Sequence, residues 1–187
     1  MFRTPALDQL QHIHELNRAF LGLLQSRALE QRPCLDLPPT VRAALANAVD
    51  GLLDTAACFP RALFELQLGL RAQLQPVADV EEVERELCLS ILLAARGASR
   101  HSAYQARLLF GLDARGLAWL AVAPLPDLRR AACTPGTLQC AFRERAWFWH
   151  GLLTATRPEL RRQLMLMALQ PTIVPSWPQR RAPHASI

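Results

Sequence analysis

The amino-acid sequence predicts an all-α protein: two related helical units packed on each other as an intramolecular pseudo-dimer, then a C-terminal helix and a loose tail. Three observations point there. The first is composition. Hydrophobic residues make up 51% of the chain, Leu and Ala dominate them, and Tyr occurs once. Ala, Leu and Arg favour helices, whereas strands favour β-branched and aromatic side chains. The second is spacing, because apolar residues recur at helical intervals along most of the chain. The third is a repeat at domain scale. The expected boundaries are 1–76 for the first unit, 77–145 for the second, 146–170 for a helical extension and 171–187 for the tail. A length of 187 residues suits one domain or two small ones.

Thr4 and Pro5 read as a helix start, since proline is tolerated in a first turn. Leu7, Leu10, Ile13, Leu16, Phe20, Leu23 and Leu24 then form an amphipathic helix that Gln31-Arg32-Pro33 ends. Pro38-Pro39 opens a second helix with Val41, Ala44 and Leu45. Asp50 reads as the cap of a third, with Leu52, Leu53, Ala56 and Ala57 inward. The alternating stretch Leu63 to Leu68 is either extended or the start of another helix. Asp79 and Glu82 resemble a capping box for a long helix to about Ser99, carrying Val83, Leu87, Ile91 and Ala94. Ala103 to Phe110 is a short helix closed by Gly111, and Asp113 caps the next, with Leu117, Leu120 and Ala121 buried. Asp127 to Cys133 follows, then a turn at Thr134-Pro135-Gly136. Phe142 to Leu153 reads as helical, and Thr156 to Glu159 as a capping box for a last helix with Leu160, Leu164 and Met167. The Pro-rich sequence from Pro171 is the tail.

The repeat begins at an offset of 71, where Glu15-Leu16 matches Glu86-Leu87. It continues at an offset of 75, where Leu45-Ala46 meets Leu120-Ala121, Ala56-Ala57-Cys58 meets Ala131-Ala132-Cys133, and Pro60 meets Pro135. The change places four extra residues in the second copy, around Ser99 to Leu109.

Charge and cysteine usage exclude several functions. The net charge is +5 and every cationic side chain of the Lys/Arg kind is Arg, which together with abundant Ala, Leu and Pro is a GC-rich bacterial bias. Five cysteines without a C-x-x-C pair argue against a zinc module or disulfide scaffold and for a reducing, cytoplasmic setting. Cys58 and Cys133 fall on apolar helix faces and read as core. No signal-peptide or membrane-spanning run is expected. His12 and His14 lie two apart on a helix and point in different directions, so they do not chelate together. Asp79, Glu81, Glu82, Glu84 and Glu86 read as a helix-dipole feature. No phosphate loop, nucleophile elbow or metal-ligand pair is present, so neither an enzyme nor a cofactor is expected. Arg96, Arg100, Arg107, Arg129 and Arg130 are the candidate nucleic-acid contacts, weighed against ordinary solvated arginine. Trp147 and Trp149 flank Phe148 and cannot all share one helix face, so both are candidate partner anchors, with packing beneath the final helix the equal alternative.

The second half also carries Leu87-Cys88-Leu89-Ser90-Ile91-Leu92-Leu93-Ala94-Ala95-Arg96, Ala106 to Asp113, Leu120 to Leu128, and Leu138-Gln139-Cys140-Ala141-Phe142-Arg143. In this order, over about sixty residues, it resembles the FlhD family, a subunit of a bacterial flagellar master transcription regulator. The resemblance implies a helical protein that dimerises and joins a partner subunit to activate promoters. The partner would carry the zinc site and much of the DNA contact. Cys140 stands where the family has a cysteine near its dimer interface, which makes it a candidate interface residue. Its counterpart in the first half is Glu65, so a disulfide of the family type would form only between two chains. Family members carry one such unit and this chain carries two. The expectation is therefore a non-enzymatic regulatory subunit, either a monomeric pseudo-dimer or a homodimer, that meets DNA mainly through a protein partner. The alternative is a scaffold or chaperone-like accessory protein of a secretion or motility apparatus that does not bind DNA.

Overall fold

A computed structural model describes residues 7–68, 80–154 and 158–169 of the chain. The first half contains α1 (Leu7–Leu29), α2 (Pro39–Ala46), α3 (Asp50–Ala57) and the short strand β1 (Phe64–Leu66). The second contains α4 (Glu82–His101), α5 (Ala103–Phe110), α6 (Ala114–Val122), α7 (Leu125–Ala132) and β2 (Leu138–Cys140). Two further helices follow, α8 (Ala146–Thr154) and α9 (Pro158–Leu169). The protein is thus mostly helical, with two short strands among the described residues.

Local chemistry sets several of the helix ends. Pro39 opens α2 in the first turn, where its missing N–H costs nothing. Ser102 caps α5 by accepting from the Gln105 N–H, and Asp113 caps α6 by accepting from the Gly116 N–H at 2.7 Å. Gly111 closes α5 at φ +67°, a left-handed conformation that suits glycine. A side chain there would also strike the Arg61 guanidinium.

The halves are built on the same plan. α2 and α3 begin 75 residues before α6 and α7, and both pairs pack on the long helix that opens their half. Asp36 has φ +66° where Gly111 has φ +67°, again 75 residues apart. The link from α1 to α2 makes turns, while the equivalent link from α4 to α6 contains α5. The four extra residues amount to about one helical turn, and they fall at α5.

Contacts between the halves run along α1 and α4 and across the strand pair. β1 and β2 are antiparallel, with Phe64 opposite Cys140, Glu65 opposite Gln139 and Leu66 opposite Leu138. The ladder is extended by Ala141 N–H to Leu63 carbonyl and Gln67 N–H to Thr137 carbonyl. A two-stranded ribbon is marginal in water alone. Here Phe64, Leu66, Leu138 and Cys140 are buried in the core, which holds it. A single apolar cluster includes Phe20, Leu45 and Leu53 from the first half and Ile91, Leu120 and Leu128 from the second. α8 crosses back onto α2 and α3, and α9 lies on α8, where Leu164 sits against Gly151.

Several sequence expectations are corrected. The Leu63 to Leu68 stretch is extended, and its partner at 138–140 was expected as neither strand nor helix. α4 starts at Glu82 with Glu81 at its N-cap, so the Asp79 capping reading does not describe its first turn; Asp79 itself lies outside the described residues. Its buried face is Glu84, Cys88, Ile91, Leu92 and Ala95, and Val83 is exposed. Val49, not Asp50, is the N-cap of α3, and α7 starts at Leu125 after Pro124 rather than at Asp127. α8 starts only at Ala146, because Phe142 takes φ +57° and turns the chain. Leu160 on α9 is exposed. Cys58 and Cys133 are exposed too, since each is the residue just past its helix end rather than on the inward face. The capping residues Thr156 and Arg157, and the tail from Pro171, lie outside the described residues.

Candidate interaction surfaces

The proposed anchors separate sharply. Trp149 is fully buried and its Nε1 donates to the Ala141 carbonyl at 2.8 Å. It belongs to an aromatic core with Phe59, Phe142 and Phe148, and the Arg61 guanidinium covers the Phe142 ring at 5.3 Å. Trp149 is therefore a packing residue, not a surface anchor. Trp147 is 44% exposed and touches that core only edge-on, through Phe148. Cys140 is buried inside the strand pair, and burial pushes its thiol well above the ordinary range. A disulfide to another chain would first require that pair to open.

The candidate arginines are carried by three helices, α4, α5 and α7. Arg96 and Arg100 are one turn apart on α4, and Arg100 Nε donates to the Ala121 carbonyl near the end of α6 at 3.1 Å. Arg130 pairs with Asp127 on its own helix at 3.3 Å. Arg107 projects from α5, and Arg129 is exposed on α7. Only Arg96 and Arg100 share a helix face.

Three residues that sequence reasoning passed over organise the surface between elements. Asn17 is fully buried on α1. Its amide donates to the carbonyls of Ala57, Phe59 and Arg61, and its oxygen accepts from the Leu63 N–H at 2.9 Å. The signal was a lone polar residue on the stripe formed by Ile13, Phe20 and Leu24. Arg27 is the second. Its guanidinium donates to Glu81 at 2.9 Å and to Glu84, and Arg32 also holds Glu81. Burial opposes the Arg27 charge, but the two carboxylates outweigh it and raise its pKa. The same hydrogen bonds hold the Glu81 carboxyl below its usual range. The acidic run is thus an ion-pair site that joins the halves as well as a helix start. Arg18, the third, pairs with Asp50 at 2.9 Å and with Asp54.

At the positions of the second half that match Arg18, Asp50 and Asp54 stand Leu89, Leu125 and Arg129. Gly22 and Asn47 are matched by Leu93 and Val122. Leu93, Leu125 and Val122 are exposed, Val122 to 76%. At these matched positions the first half carries polar or small residues and the second apolar ones with Arg129 beside them, although Val49 of the first half is exposed as well.

Among the described residues no three His, Cys, Asp or Glu side chains gather as a metal site would require, and no helix is long and apolar enough to cross a membrane. No protein-family model, curated protein or solved structure matches this chain.

Proposed function

We propose that the chain is a non-enzymatic regulatory subunit that acts through protein–protein contacts, in a bacterial transcription-activating complex of the FlhD-like kind. The observation that carries the proposal is that Leu93, Val122 and Leu125 are exposed, at positions that are polar or small in the first half. Exposed apolar side chains serve partner binding where they gather into a patch. Trp147 is a further exposed anchor. The residues that resemble the FlhD family fall on α4, α5, α6–α7 and β2 in turn, which is one complete unit. In this reading the first unit replaces a second subunit as a pseudo-dimer partner, and the second unit meets the other protein.

A second reading is favoured by the arginines. Arg100 and Arg130 already serve a carbonyl and a carboxylate of the same chain. A scaffold or accessory protein of a secretion or motility apparatus, without DNA contact, would need no free basic face.

Affinity capture of the tagged protein from its own host, repeated after nuclease treatment, tests both. The regulatory reading expects a zinc-binding regulator or RNA polymerase subunits that survive nuclease and disappear in a Leu93→Glu, Leu125→Glu variant. Recovery of secretion or envelope components alone replaces it with the second reading.

A further inference from the structure

The strand pair has two outer edges, and they are not alike. In the antiparallel register the bonded pairs are Leu63 with Ala141, Glu65 with Gln139 and Gln67 with Thr137. The backbone N–H and C=O groups of Phe64 and Leu66 therefore point away from β2, and those of Leu138 and Cys140 point away from β1. Leu138 and Cys140 are fully buried, so the edge of β2 is closed. On the β1 side the chain itself uses the first outward position, where the Ala62 N–H donates to the Leu109 carbonyl at 2.8 Å. That bond sets the end of α5, and the link after it, alongside the outer edge. It is not continued: the Leu66 N–H and carbonyl have no hydrogen-bond partner among the described residues. An open edge of this kind is a template for another strand.

A cavity of about 280 Å³ lies between residues 65–68 and the link from α5 to α6. By the spacings of packed sheets, that is room for about two residues of extended chain, so a chain ends there rather than passing through. Leu66, Leu68 and Leu112 supply apolar lining. Three charged side chains complete it, and two of them are already matched. The Asp113 carboxylate accepts from the Gly116 N–H at 2.7 Å, at the positive start of α6. Glu65 lies near the Arg61 guanidinium: burial lowers the Arg61 pKa, and the Glu65 charge opposes that. Arg115 is the third. It is exposed on the first turn of α6, with neither an ion pair nor a side-chain hydrogen bond among the described residues.

We propose that this cavity captures the C-terminal end of a partner polypeptide, with its last residues extended along the open edge of β1 and its terminal carboxylate at Arg115. The main chain of the ligand pairs with the Leu66 N–H and carbonyl and turns the ribbon into a three-stranded sheet, the more stable arrangement. An apolar side chain near the end of the ligand meets Leu66, Leu68 and Leu112. The carboxylate is the counter-charge that Arg115 lacks, and a guanidinium–carboxylate hydrogen bond is stronger than a neutral one. The site shares no residue with the surface of Leu93, Val122 and Leu125 and stands without it.

Amide chemical shifts of the full chain, titrated with the short peptides N-acetyl-Val-Leu, N-acetyl-Leu-Val and N-acetyl-Val-Phe as free acids, test this. At least one is expected to give saturable shifts at Leu66, Gln67, Gly111 and Gly116. Its C-terminal carboxamide is expected to bind at least about tenfold more weakly, the margin of one charge-assisted hydrogen bond. Methylation of both peptide nitrogens removes the donors of strand pairing and is expected to weaken binding at least about fivefold. Arg115→Gln, at an exposed position, is expected to melt normally and to bind the acid and the carboxamide equally. Absence of saturation with every peptide overturns the proposal. So does equal binding of acid and carboxamide by the unsubstituted chain, undiminished binding of the N-methylated peptide, or an Arg115→Gln protein that keeps the preference for the acid.

Discussion

In the first half, Asn17 reaches from α1 to the segment after α3 and holds the carbonyls of Ala57, Phe59 and Arg61. In the second half, Cys88 stands at the matching position of α4, buried, with its thiol pushed up to about 12 by burial, and further by Glu84 and Cys133. The difference follows from the segments below them. After α7, the chain satisfies its own backbone: Thr134 N–H donates to Ala131, Thr137 N–H to Thr134, and the Thr134 hydroxyl to Arg130. Gly136 at φ +77° closes that turn. After α3 the first of these bonds recurs, from the Phe59 N–H to the Ala56 carbonyl, but the second does not, because the Ala62 N–H donates to Leu109, and the carbonyls of Ala57, Phe59 and Arg61 are left to Asn17. Buried backbone groups must find partners, so one half uses a side chain where the other uses its loop. The long helix keeps its place in both.

The largest effect tests whether the halves are one body. Leu45 and Leu120 are matching residues, both fully buried in one cluster. Leu45→Asp or Leu120→Asp buries an unpaired charge, at roughly 5 kcal/mol. Each variant is expected to lose cooperative melting in both halves. A Leu120→Asp protein that keeps half its helical signal and melts in one sharp step would mean that the halves fold separately.

The ionic end between α1 and α4 comes next. Arg27→Ala leaves Glu84 buried without its partner, and denaturant unfolding is expected to show a loss of about 3 kcal/mol. The pH dependence has a definite sign. The Glu81 carboxyl is depressed in the folded state, so its contribution is present above its unfolded pKa and is lost as pH falls through the folded one. Arg27→Ala should therefore flatten the acid limb of the stability curve. The triple change Arg27→Ala, Glu81→Leu and Glu84→Ile copies the residues at the matching positions of the repeat, Ala98, Leu10 and Ile13, where the start of α1 meets the end of α4. It should recover most of the loss, because an apolar replacement of a whole buried ion pair is often neutral. A triple variant less stable than Arg27→Ala alone would sink the equivalence of the two ends.

Asn17 and Cys88 give a smaller, paired test. Asn17→Leu strands three carbonyls and one N–H and is expected to cost about 2 kcal/mol. Cys88→Ala removes only a small buried group and should cost about 1 kcal/mol. Equal losses in thermal unfolding would mean that Asn17 contributes packing alone.

What the sequence made legible was whatever depends on neighbours in the chain. Pro39, Gly111 and Asp113 mark helix ends through their own backbone and side-chain chemistry, and those ends lie where expected. What depends on distant partners was hidden. Glu84 looks like one more acidic residue of a first turn until Arg27, 57 positions away, is placed beside it. Val83 is apolar yet exposed, because that pairing turns Glu84 inward. β2 has only three residues, too short for a periodic pattern, and exists because β1 lies against it. Trp147 and Trp149 read alike in sequence, and the packing of α8 on α2 and α3, with the Ala141 carbonyl as acceptor for Trp149, distinguishes the buried ring from the exposed one.

The smallest expected effect lies at the surface where the halves differ most. Arg18 is half-buried, but its partners Asp50 and Asp54 are largely exposed. Exposed pairs contribute little, so Arg18→Ala should lower stability by no more than about 1 kcal/mol. Grafting the set onto the second half, as Leu89→Arg, Leu125→Asp and Arg129→Asp, should be tolerated to a similar degree, since Leu125 and Arg129 are already exposed and Leu89 is only half-buried. The two experiments separate stability from recognition. If the polar set of the first half and the apolar set of the second are interchangeable in melting, folding does not account for the exposed leucines. Partner capture by the grafted protein then reads what that surface is for: retention of partners would remove it from the interface, and their loss in a protein that melts normally would place it there.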